Sequence, residues 1–380
     1  YVMNNSDWFF SRPSEEARIN PDNPYILADH VKCAAFELPF RDGEGFGTLH
    51  SDELEAVLSF LEEAGILRHT ASRWHWAERG YPAEGISLRS ASSENVVIID
   101  ATKGRNLVIG EMDRPSAKEL IFENAVYIHR GRQYLVELLD IENRKALVRE
   151  ADVNYYTDAL VKRDIKPLSE DEEILYQPAL SSIPLARAVL GDVLVRSQVS
   201  KFKKIRFHTH ENIGYGDIDV GEEELQSRSL MLLFPSQTVA GEWLAGLDPA
   251  SVGRALRGLG QLIDRIAPVW LLCDSRDLGT SERVRDGHFA CPAIFVWDRY
   301  PGGTGLAEAL AGRLEELFKA SLETVTSCSC RKGCPSCIGI DPDNNLPPRS
   351  DSKPPSNGTI ESKDLVKKLL GILCGRDIPD

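Results

Sequence analysis

The stretch Cys328-Ser-Cys330-Arg-Lys-Gly-Cys334-Pro-Ser-Cys337 contains four of the eight cysteines of this 380-residue chain. The spacing is C-x-C-x3-C-x2-C, and the glycine and proline between the cysteines favour tight turns. Four thiolates on one short loop suit a single tetrahedral Zn²⁺. A site with four protein ligands leaves no position for a substrate or a water, so this spacing predicts a structural metal ion.

Three other interpretations of the four cysteines are a disulfide pair, a redox-active dithiol and an iron site. No signal peptide is visible in the sequence, and stable disulfides are rare in a reducing compartment. A redox pair needs two cysteines rather than four. Zinc is therefore the prediction, and we expect Arg331 and Lys332 to offset part of the negative charge of the thiolates. The predicted ligands are Cys328, Cys330, Cys334 and Cys337.

A second signal lies directly upstream, in Ala293-Ile-Phe-Val-Trp-Asp298-Arg-Tyr-Pro-Gly-Gly-Thr-Gly-Leu-Ala-Glu308. It predicts a buried strand, a glycine-rich turn and a helix with apolar residues at helical spacing. The turn resembles a phosphate-binding loop at a helix N-terminus. It is not a Walker A loop, because no Lys-Ser/Thr pair follows the glycines. A structural tight turn is the favoured interpretation, and a contact to a nucleic-acid phosphate is the alternative.

These two signals carry a resemblance to a known family. The run from Phe295 through Gly305, followed by the four cysteines, resembles the C-terminal zinc-binding domain of superfamily 2 helicases of the mitomycin repair factor A (MrfA) type. The N-terminal runs Trp8-Phe-Phe…Arg18-Ile-Asn-Pro-Asp-Asn-Pro-Tyr25 and Cys33-Ala-Ala-Phe-Glu-Leu-Pro39 are similar to the segment that follows the second RecA-like domain in that family. The resemblance covers nearly the whole chain and implies a winged helix near its start.

The resemblance also implies a function for a larger parent protein. That parent would be an ATP-dependent DNA helicase that moves 3′ to 5′ on single-stranded DNA and acts in DNA repair. The chain contains no G-x-x-x-x-G-K-[ST] and no DEAD or DEAH string, so we expect no catalytic residue in it. ATP and Mg²⁺ belong to RecA-like motor domains outside it. Because the chain begins with Tyr1, we expect it to be a piece of a longer polypeptide. The expected partners are single-stranded or forked DNA and those motor domains.

Composition limits these expectations. A net charge of −14 argues against a globally basic nucleic-acid binder, but it is compatible with a local basic surface. No apolar run approaches the roughly 18–20 residues that span a bilayer, so we expect no membrane association. We expect a cytoplasmic protein associated with the nucleoid.

The periodicities predict a multidomain α+β protein with a winged helix, a small antiparallel β domain and an α/β zinc-binding domain. The predicted boundaries are a winged helix with an irregular N-terminal lead-in at 1–85, a β-rich domain at 86–157, a zinc-binding domain at 158–340, and a mobile linker with a short C-terminal helix at 341–380. In the winged helix, Asn23 is the predicted cap of a helix that begins at Pro24. In the zinc-binding domain, Pro268 is predicted to end a helix, with a strand at Val269–Cys273.

Aromatic and basic residues supply the candidate nucleic-acid contacts. On the predicted wing, Trp74 and Trp76 can stack on bases or wedge a duplex, or instead pack on the helices of the winged helix. Arg130 and Arg132 flank a glycine at a predicted hairpin tip, where they can reach a phosphate, although a solvated tip is the more common outcome.

A basic stripe between residues 196 and 206 contains no acidic residue. We predict a strand with one basic face, which follows a phosphate backbone, and one apolar face. An exposed soluble face is the alternative. The basic residues of the stripe are Arg196, Lys201, Lys203, Lys204 and Arg206.

Other polar clusters give weaker signals. His208, His210 and Asp217 are residue types that hold catalytic metals, but nothing nearby completes a hydrolase or nuclease motif. Three aspartates follow apolar segments, a position typical both of ligand contacts and of helix caps. They are Asp274, Asp277 and Asp298.

Two other functions remain alternatives. One is a non-enzymatic, zinc-stapled scaffold that binds a partner protein, similar to motor-less subunits of phage-defence systems with a related domain. The net charge of −14 favours it, whereas the winged helix and the basic stripe favour DNA binding. The other, which ranks last, is a metal-dependent nuclease around His208, His210 and Asp217.

Overall fold

A computed structural model describes residues 2–12, 20–21, 23–86, 95–104, 106–177, 183–339 and 361–376. The predicted linker from residue 341 lies outside the described residues. The chain divides into two compact units. One comprises Tyr1–Asn20, Lys166–Val193 and Gln226–Asp380, and the other comprises Pro21–Ile165 and Leu194–Leu225. The boundaries at 85, 157 and 340 stay predictions.

The elements are numbered here in chain order. The α-helices are α1 (Ser6–Ser11), α2 (Pro24–Glu37), α3 (Ser51–Glu63), α4 (Arg114–Leu120), α5 (Val239–Ala245), α6 (Pro249–Leu271), α7 (Leu306–Ala311), α8 (Leu314–Ser327) and α9 (Ser362–Leu373). The strands are β1 (Phe40–Arg41), β2 (Leu67–Thr70), β3 (Arg73–Trp76), β4 (Asn95–Asp100), β5 (Leu107–Asp113), β6 (Val126–His129), β7 (Arg132–Asp140), β8 (Lys145–Glu150), β9 (Tyr155–Pro167), β10 (Glu172–Tyr176), β11 (Ala186–Arg206), β12 (Asn212–Asp217), β13 (Glu222–Leu233), β14 (Leu278–Arg283) and β15 (Ala293–Asp298). None of the described helices is both long and apolar enough to cross a bilayer.

The N-terminal part of the second unit is a winged helix. The Asn23 side chain accepts hydrogen bonds from the backbone amides of Tyr25 and Ile26, and Pro24 is the first residue of α2. This confirms the predicted cap. Helices α2 and α3 pack on a three-stranded antiparallel sheet of order β1-β3-β2. Its core is made of Val31, Ala35, Phe40, Leu54, Leu58, Leu61, Leu67 and Trp74.

The burial of Trp74 favours one of its two expected roles. Its side chain is only 5% exposed and lies in the winged-helix core, stacked on His69 at a centroid distance of 4.2 Å. The packing alternative therefore holds for Trp74, because a ring in the core has no face free for a base.

The same unit contains a five-stranded sheet of order β5-β4-β8-β7-β6. Ala117 of helix α4 packs in the core of this sheet, together with Ile121 and Phe122, which directly follow the helix. The sheet is not fully antiparallel, because β4 and β8 pair in parallel. The β6–β7 hairpin turns at Arg130 and Gly131, whose φ angles of 49° and 77° are those of a two-residue hairpin turn.

The first unit combines a sheet with packed helices. Its sheet contains, in hydrogen-bonded order, β10, the part of β11 up to Val193, the part of β13 from Gln226, β15 and β14. Helices α6, α8 and α9 pack together on an extensive apolar core. The approach of α6 to α9 is close, because a Cβ atom at Gly258 would lie 2.3 Å from the Val366 side chain.

The prediction of a strand at Val269–Cys273 was wrong. Helix α6 continues through Pro268 to Leu271, and Leu272 ends it in the left-handed conformation. Proline removes one helical hydrogen bond. However, Ala267 and Leu271 are fully buried one turn apart, and this packing outweighs the lost bond.

We expect Trp74→Ala to destabilise the winged helix by about 3–5 kcal/mol, because truncation of a buried tryptophan leaves a cavity. His75→Ala is the matched control, since His75 is the exposed neighbour on the same strand. Urea unfolding followed by circular dichroism measures both. Equal stability of the two variants would contradict the placement of Trp74 in the core.

Candidate metal centre and nucleic-acid interface

The four-cysteine segment, called the knuckle here (residues 328–337), begins where α8 ends. Cys328 caps α8, and its amide donates to the Thr324 carbonyl. The amides of Cys337 and Gly339 both donate to the Cys334 carbonyl and fold the second half into a tight turn. Gly333 has a φ of 123°, and a Cβ atom there would lie 2.7 Å from the Gly339 carbonyl oxygen. The knuckle therefore needs the glycine that its sequence provides.

The four cysteine sulfurs of the knuckle all lie within 4.8 Å of one another. The Sγ–Sγ distances are 3.6 Å for 328–330 and 328–334, 3.4 Å for 330–337 and 3.7 Å for 334–337. A tetrahedron with Zn–S bonds of about 2.3 Å places its sulfurs about 3.8 Å apart, whereas a disulfide bond is about 2.05 Å long. The sulfur positions therefore fit one zinc ion. Within the described part of the chain, no other group of three or more His, Cys, Asp or Glu side chains is arranged to hold a metal.

The environments of the thiols differ within the knuckle. A hydrogen bond from the Ser336 amide is the main cause that lowers the pKa of Cys334 to about 7. Burial raises the pKa of Cys337 to about 12. Because zinc binds thiolates, its binding must displace the Cys337 proton, and zinc affinity therefore falls as pH falls.

A residue that the sequence did not indicate places a positive charge against the knuckle. Lys363, at the start of α9, is 3% exposed, and its Nζ donates to the carbonyl oxygens of Cys328 at 2.5 Å and Cys330 at 2.7 Å. The same Nζ lies 3.5 Å from the Cys330 sulfur. By contrast, Lys332 is exposed and lies 3.8 Å from Glu361. Because lysine is common at helix ends, the local sequence gives no signal that Lys363 contacts a metal site.

The glycine-rich turn is a structural cap. The carboxylate of Asp298 accepts hydrogen bonds from the backbone amides of Thr304, Leu306 and Ala307 and from the Thr304 hydroxyl. Burial raises the pKa of Asp298, although these donors favour its charged form. An internal carboxylate thus already occupies the helix N-terminus, which supports the tight-turn interpretation over a phosphate site.

Packing against an ion-pair network also explains Gly303 of this turn. A Cβ atom at Gly303 would lie 2.5 Å from Cγ of Arg228. Arg228 donates to Glu308 at 2.9 Å and to Asp192 at 3.2 Å, and it also pairs with Asp171. These bonds tie the turn to its own unit.

The remaining polar candidates make local contacts. The Asp274 side chain accepts from the amide of Arg276, and that of Asp277 accepts from the amide of Asp274. The sidechain of His210 lies 3.4 Å from the Tyr156 hydroxyl. His208, His210 and Asp217 do not converge on a common metal position among the described residues.

The predicted basic stripe divides between the two faces of β11. Side chains alternate along a strand, so Lys201 and Lys203 lie on one face and Lys204 on the other. Lys204 packs over the rings of Tyr155 and Phe202. The prediction of one basic and one apolar face was therefore wrong.

The candidate basic residues also differ in whether they form ion pairs with acidic side chains. Arg196 donates to Glu224 at 2.7 Å, and Arg206 lies 3.5 Å from Glu211. Arg132 lies 4.0 Å from Glu150, and Arg130 is exposed at its hairpin tip. Lys201 and Lys203 form no ion pair with any residue that the structure describes.

An exposed tyrosine lies beside these two lysines. Strand β12 pairs with β11 so that Tyr215 faces Lys203 and Asp217 faces Lys201. Tyr215 is 63% exposed. On the opposite face, a Cβ atom at Gly216 would lie 2.3 Å from the Phe202 ring. Sequence reasoning missed Tyr215, although its position between two glycines was a usable signal. We call Lys201, Lys203 and Tyr215 the hairpin face.

The surface of the winged helix carries a small aromatic group. Trp76 is partly buried and lies edge-to-face on Phe36 at 5.9 Å, and Phe36 contacts Tyr81 at 5.5 Å. The indole Nε1 of Trp76 is buried without a hydrogen-bond partner among the described residues. Trp76 thus mainly packs on its own domain.

Two of the three predicted domain types, the winged helix and the zinc-binding domain, match known families. Residues 19–91 match the winged-helix domain of the ATP-dependent helicase HRQ1, and residues 259–338 match the MrfA Zn-binding domain. The chain is homologous to ATP-dependent helicases, and the resemblance found in the sequence is confirmed.

Two curated helicases and one solved helicase structure illustrate this homology. The chain is 41% identical over 342 residues to the uncharacterised ATP-dependent helicase YprA of Bacillus subtilis, covering 90% of this chain and 44% of YprA. It is 24% identical over 340 residues to the ATP-dependent helicase HRQ1 of Saccharomyces cerevisiae, covering 83% of this chain and 29% of HRQ1. The crystal structure of the helicase MrfA bound to DNA matches with a TM-score of 0.55 and 38% identity, covering 98% of this chain and 46% of that one. The chain therefore spans less than half of each helicase.

We expect Cys334→Ser to lower the zinc content of the purified chain and to lower the melting temperature of the unit that contains the knuckle. The reason is that three thiolates bind zinc less tightly than four, and zinc binding is coupled to folding. Cys33→Ser, in the winged helix, is the matched control. Metal analysis and calorimetry measure both variants. Normal zinc content in Cys334→Ser would contradict the assignment of this ligand.

Proposed function

We propose that this chain is the DNA-binding accessory region of an ATP-dependent 3′–5′ DNA helicase that acts in DNA repair. It grips single-stranded DNA and aids strand separation, while RecA-like domains outside the chain bind ATP and Mg²⁺ and supply the force. Homology to ATP-dependent helicases and the likeness to MrfA, a helicase crystallised with DNA, support this proposal.

The observation that carries the proposal is the hairpin face. Lys201 and Lys203 supply two positive charges without an ion-pair partner among the described residues, and Tyr215 exposes an aromatic ring directly beside Lys203. Single-stranded nucleic acid is typically held by cations that contact phosphates and by aromatic rings on which bases stack. Asp217 opposite Lys201 reduces the field but leaves Lys203 beside the ring.

The zinc ion has a structural role in this proposal. Cys328, Cys330, Cys334 and Cys337 bind it, and no coordination position remains for a reacting water. Zinc stabilises the end of α8 and the turn after it, so removal of the metal unfolds this region rather than slowing a chemical step.

We expect Lys201→Ala/Lys203→Ala to weaken binding to labelled forked DNA and to flatten its salt dependence. Loss of two phosphate contacts to a single strand reduces the slope of log K against log[salt] by about 1.4. Arg196→Ala/Arg206→Ala is the matched control, because those arginines on the same strand are already paired with Glu224 and Glu211. A salt series in fluorescence anisotropy measures both double variants. An unchanged slope in the lysine variant would place the DNA contact elsewhere.

We expect Tyr215→Ala to weaken the same binding by about 1–3 kcal/mol, the cost of one lost base stack. The salt slope should stay as in the unchanged chain, because no charge is removed. Tyr215→Phe retains the ring and should bind normally. If Tyr215→Ala binds normally as well, Tyr215 does not stack on DNA.

A protein-binding scaffold remains the second candidate. Exposed apolar side chains on the winged helix favour it, with Leu38 72%, Tyr81 57% and Phe36 44% exposed. If a folded, zinc-loaded chain binds neither single-stranded nor forked DNA at low salt, this candidate replaces the first.

We also propose that the protein is cytoplasmic and associated with the nucleoid, as its expected DNA partner requires. A fluorescent fusion of the whole protein should overlap with stained DNA. Exclusion of the fusion from the stained DNA would contradict this location.

A further inference from the structure

We propose that Lys363 is a positioning residue of the zinc knuckle and that α9, which carries it, completes the metal site. This inference rests on the zinc assignment made above and extends it to a residue outside the matched zinc-binding domain, which ends at residue 338.

Among the described residues, every hydrogen bond from the Lys363 ammonium group goes to the knuckle. Its Nζ donates to the Cys328 carbonyl at 2.5 Å and to the Cys330 carbonyl at 2.7 Å, and it lies 3.5 Å from the Cys330 sulfur. An ammonium group has three protons, and each proton has one of these three acceptors. The lysine therefore links the backbone of the first two predicted ligands to the sulfur of the second.

The burial of this charge needs an explanation. Lys363 is 3% exposed, and it forms no ion pair with a carboxylate among the described residues. A buried ammonium is costly unless a negative charge lies nearby. Zn²⁺ with four thiolates carries a net charge of −2, and this charge offsets the ammonium. The two carbonyl groups alone are neutral and cannot do so.

The position of Lys363 within α9 also supports a role at the knuckle. It is the second residue of the helix, where the macrodipole disfavours a positive charge. A lysine at this position therefore weakens the helix itself. The stability of α9 therefore does not explain why a lysine occupies this position. Its contacts with the knuckle do explain it.

Helix α9 has an independent anchor in the core. Leu365, Val366, Leu369 and Leu370 are fully buried, and Val366 fits against Gly258 of α6. This packing does not involve the ammonium group. Replacement of Lys363 by methionine, which keeps the length and the apolar stem, should therefore leave α9 folded and docked.

The test compares zinc release from Lys363→Met and from the unchanged full chain. A chromogenic chelator in excess reports the rate. Loss of a residue that supports metal ligands typically weakens binding by about 10–100-fold, and we expect release to accelerate by a factor in this range. Lys367→Met, one turn further along α9 and partly exposed, is the matched control and should release zinc at the normal rate.

A second variant separates the charge from the docking of the helix. Leu369→Ala loosens α9 in the core but keeps the ammonium. It should lower the melting temperature, yet release zinc at nearly the normal rate at a temperature where it is folded. In cobalt-substituted samples, Lys363→Met should move the sulfur-to-cobalt charge-transfer band to longer wavelength, because a thiolate without the nearby ammonium is easier to oxidise. Leu369→Ala should leave this band in place.

The outcomes discriminate between the claims. Normal zinc release from Lys363→Met would overturn the role of Lys363 while leaving the zinc site intact. Equal acceleration in Lys363→Met and Leu369→Ala, with the cobalt band unmoved, would also overturn it and assign the effect to helix docking. An unchanged chain that binds no metal would instead refute the zinc assignment itself.

Discussion

Mutual repulsion between four thiolates is the constraint on which the C-terminal half of the molecule depends. Sulfurs separated by 3.4–3.7 Å in the knuckle cannot all be ionised without a cation among them. Zinc would supply two positive charges, and the buried Lys363 supplies a third. The knuckle joins the end of α8, and its lysine comes from α9, so one electrostatic requirement connects two helices of the same core.

A similar balance of charge shapes the proposed DNA surface. The chain carries a net charge of −14, and its acidic side chains neutralise the arginines at both ends of the basic stripe. Lys201 and Lys203 are left without ion-pair partners among the described residues, on the face that also presents Tyr215. A strongly acidic protein can thus keep a small positive surface, and net charge alone says little about what such a protein binds.

Local signals were predictable from the sequence, and contacts between distant segments were not. The Asn23 cap depends on neighbouring residues, as does the cysteine spacing, so each was visible in a short window. The helical path through Pro268 depends on packing of the residues around it in the core, and this packing overrides local propensity. The proposed role of Lys363 depends on the packing of α9 against the knuckle. The proposed role of Tyr215 depends on the pairing of β12 with β11. Neither contact can be read from a short window of sequence.

The most direct test of this account is X-ray absorption spectroscopy at the zinc edge on the purified chain, with metal content measured on the same sample. The account predicts one zinc per chain with four sulfur neighbours at about 2.3 Å and no nitrogen or oxygen in the first shell. A chain without zinc, or a metal with mixed nitrogen and oxygen ligands, would contradict the structural role assigned to the four cysteines.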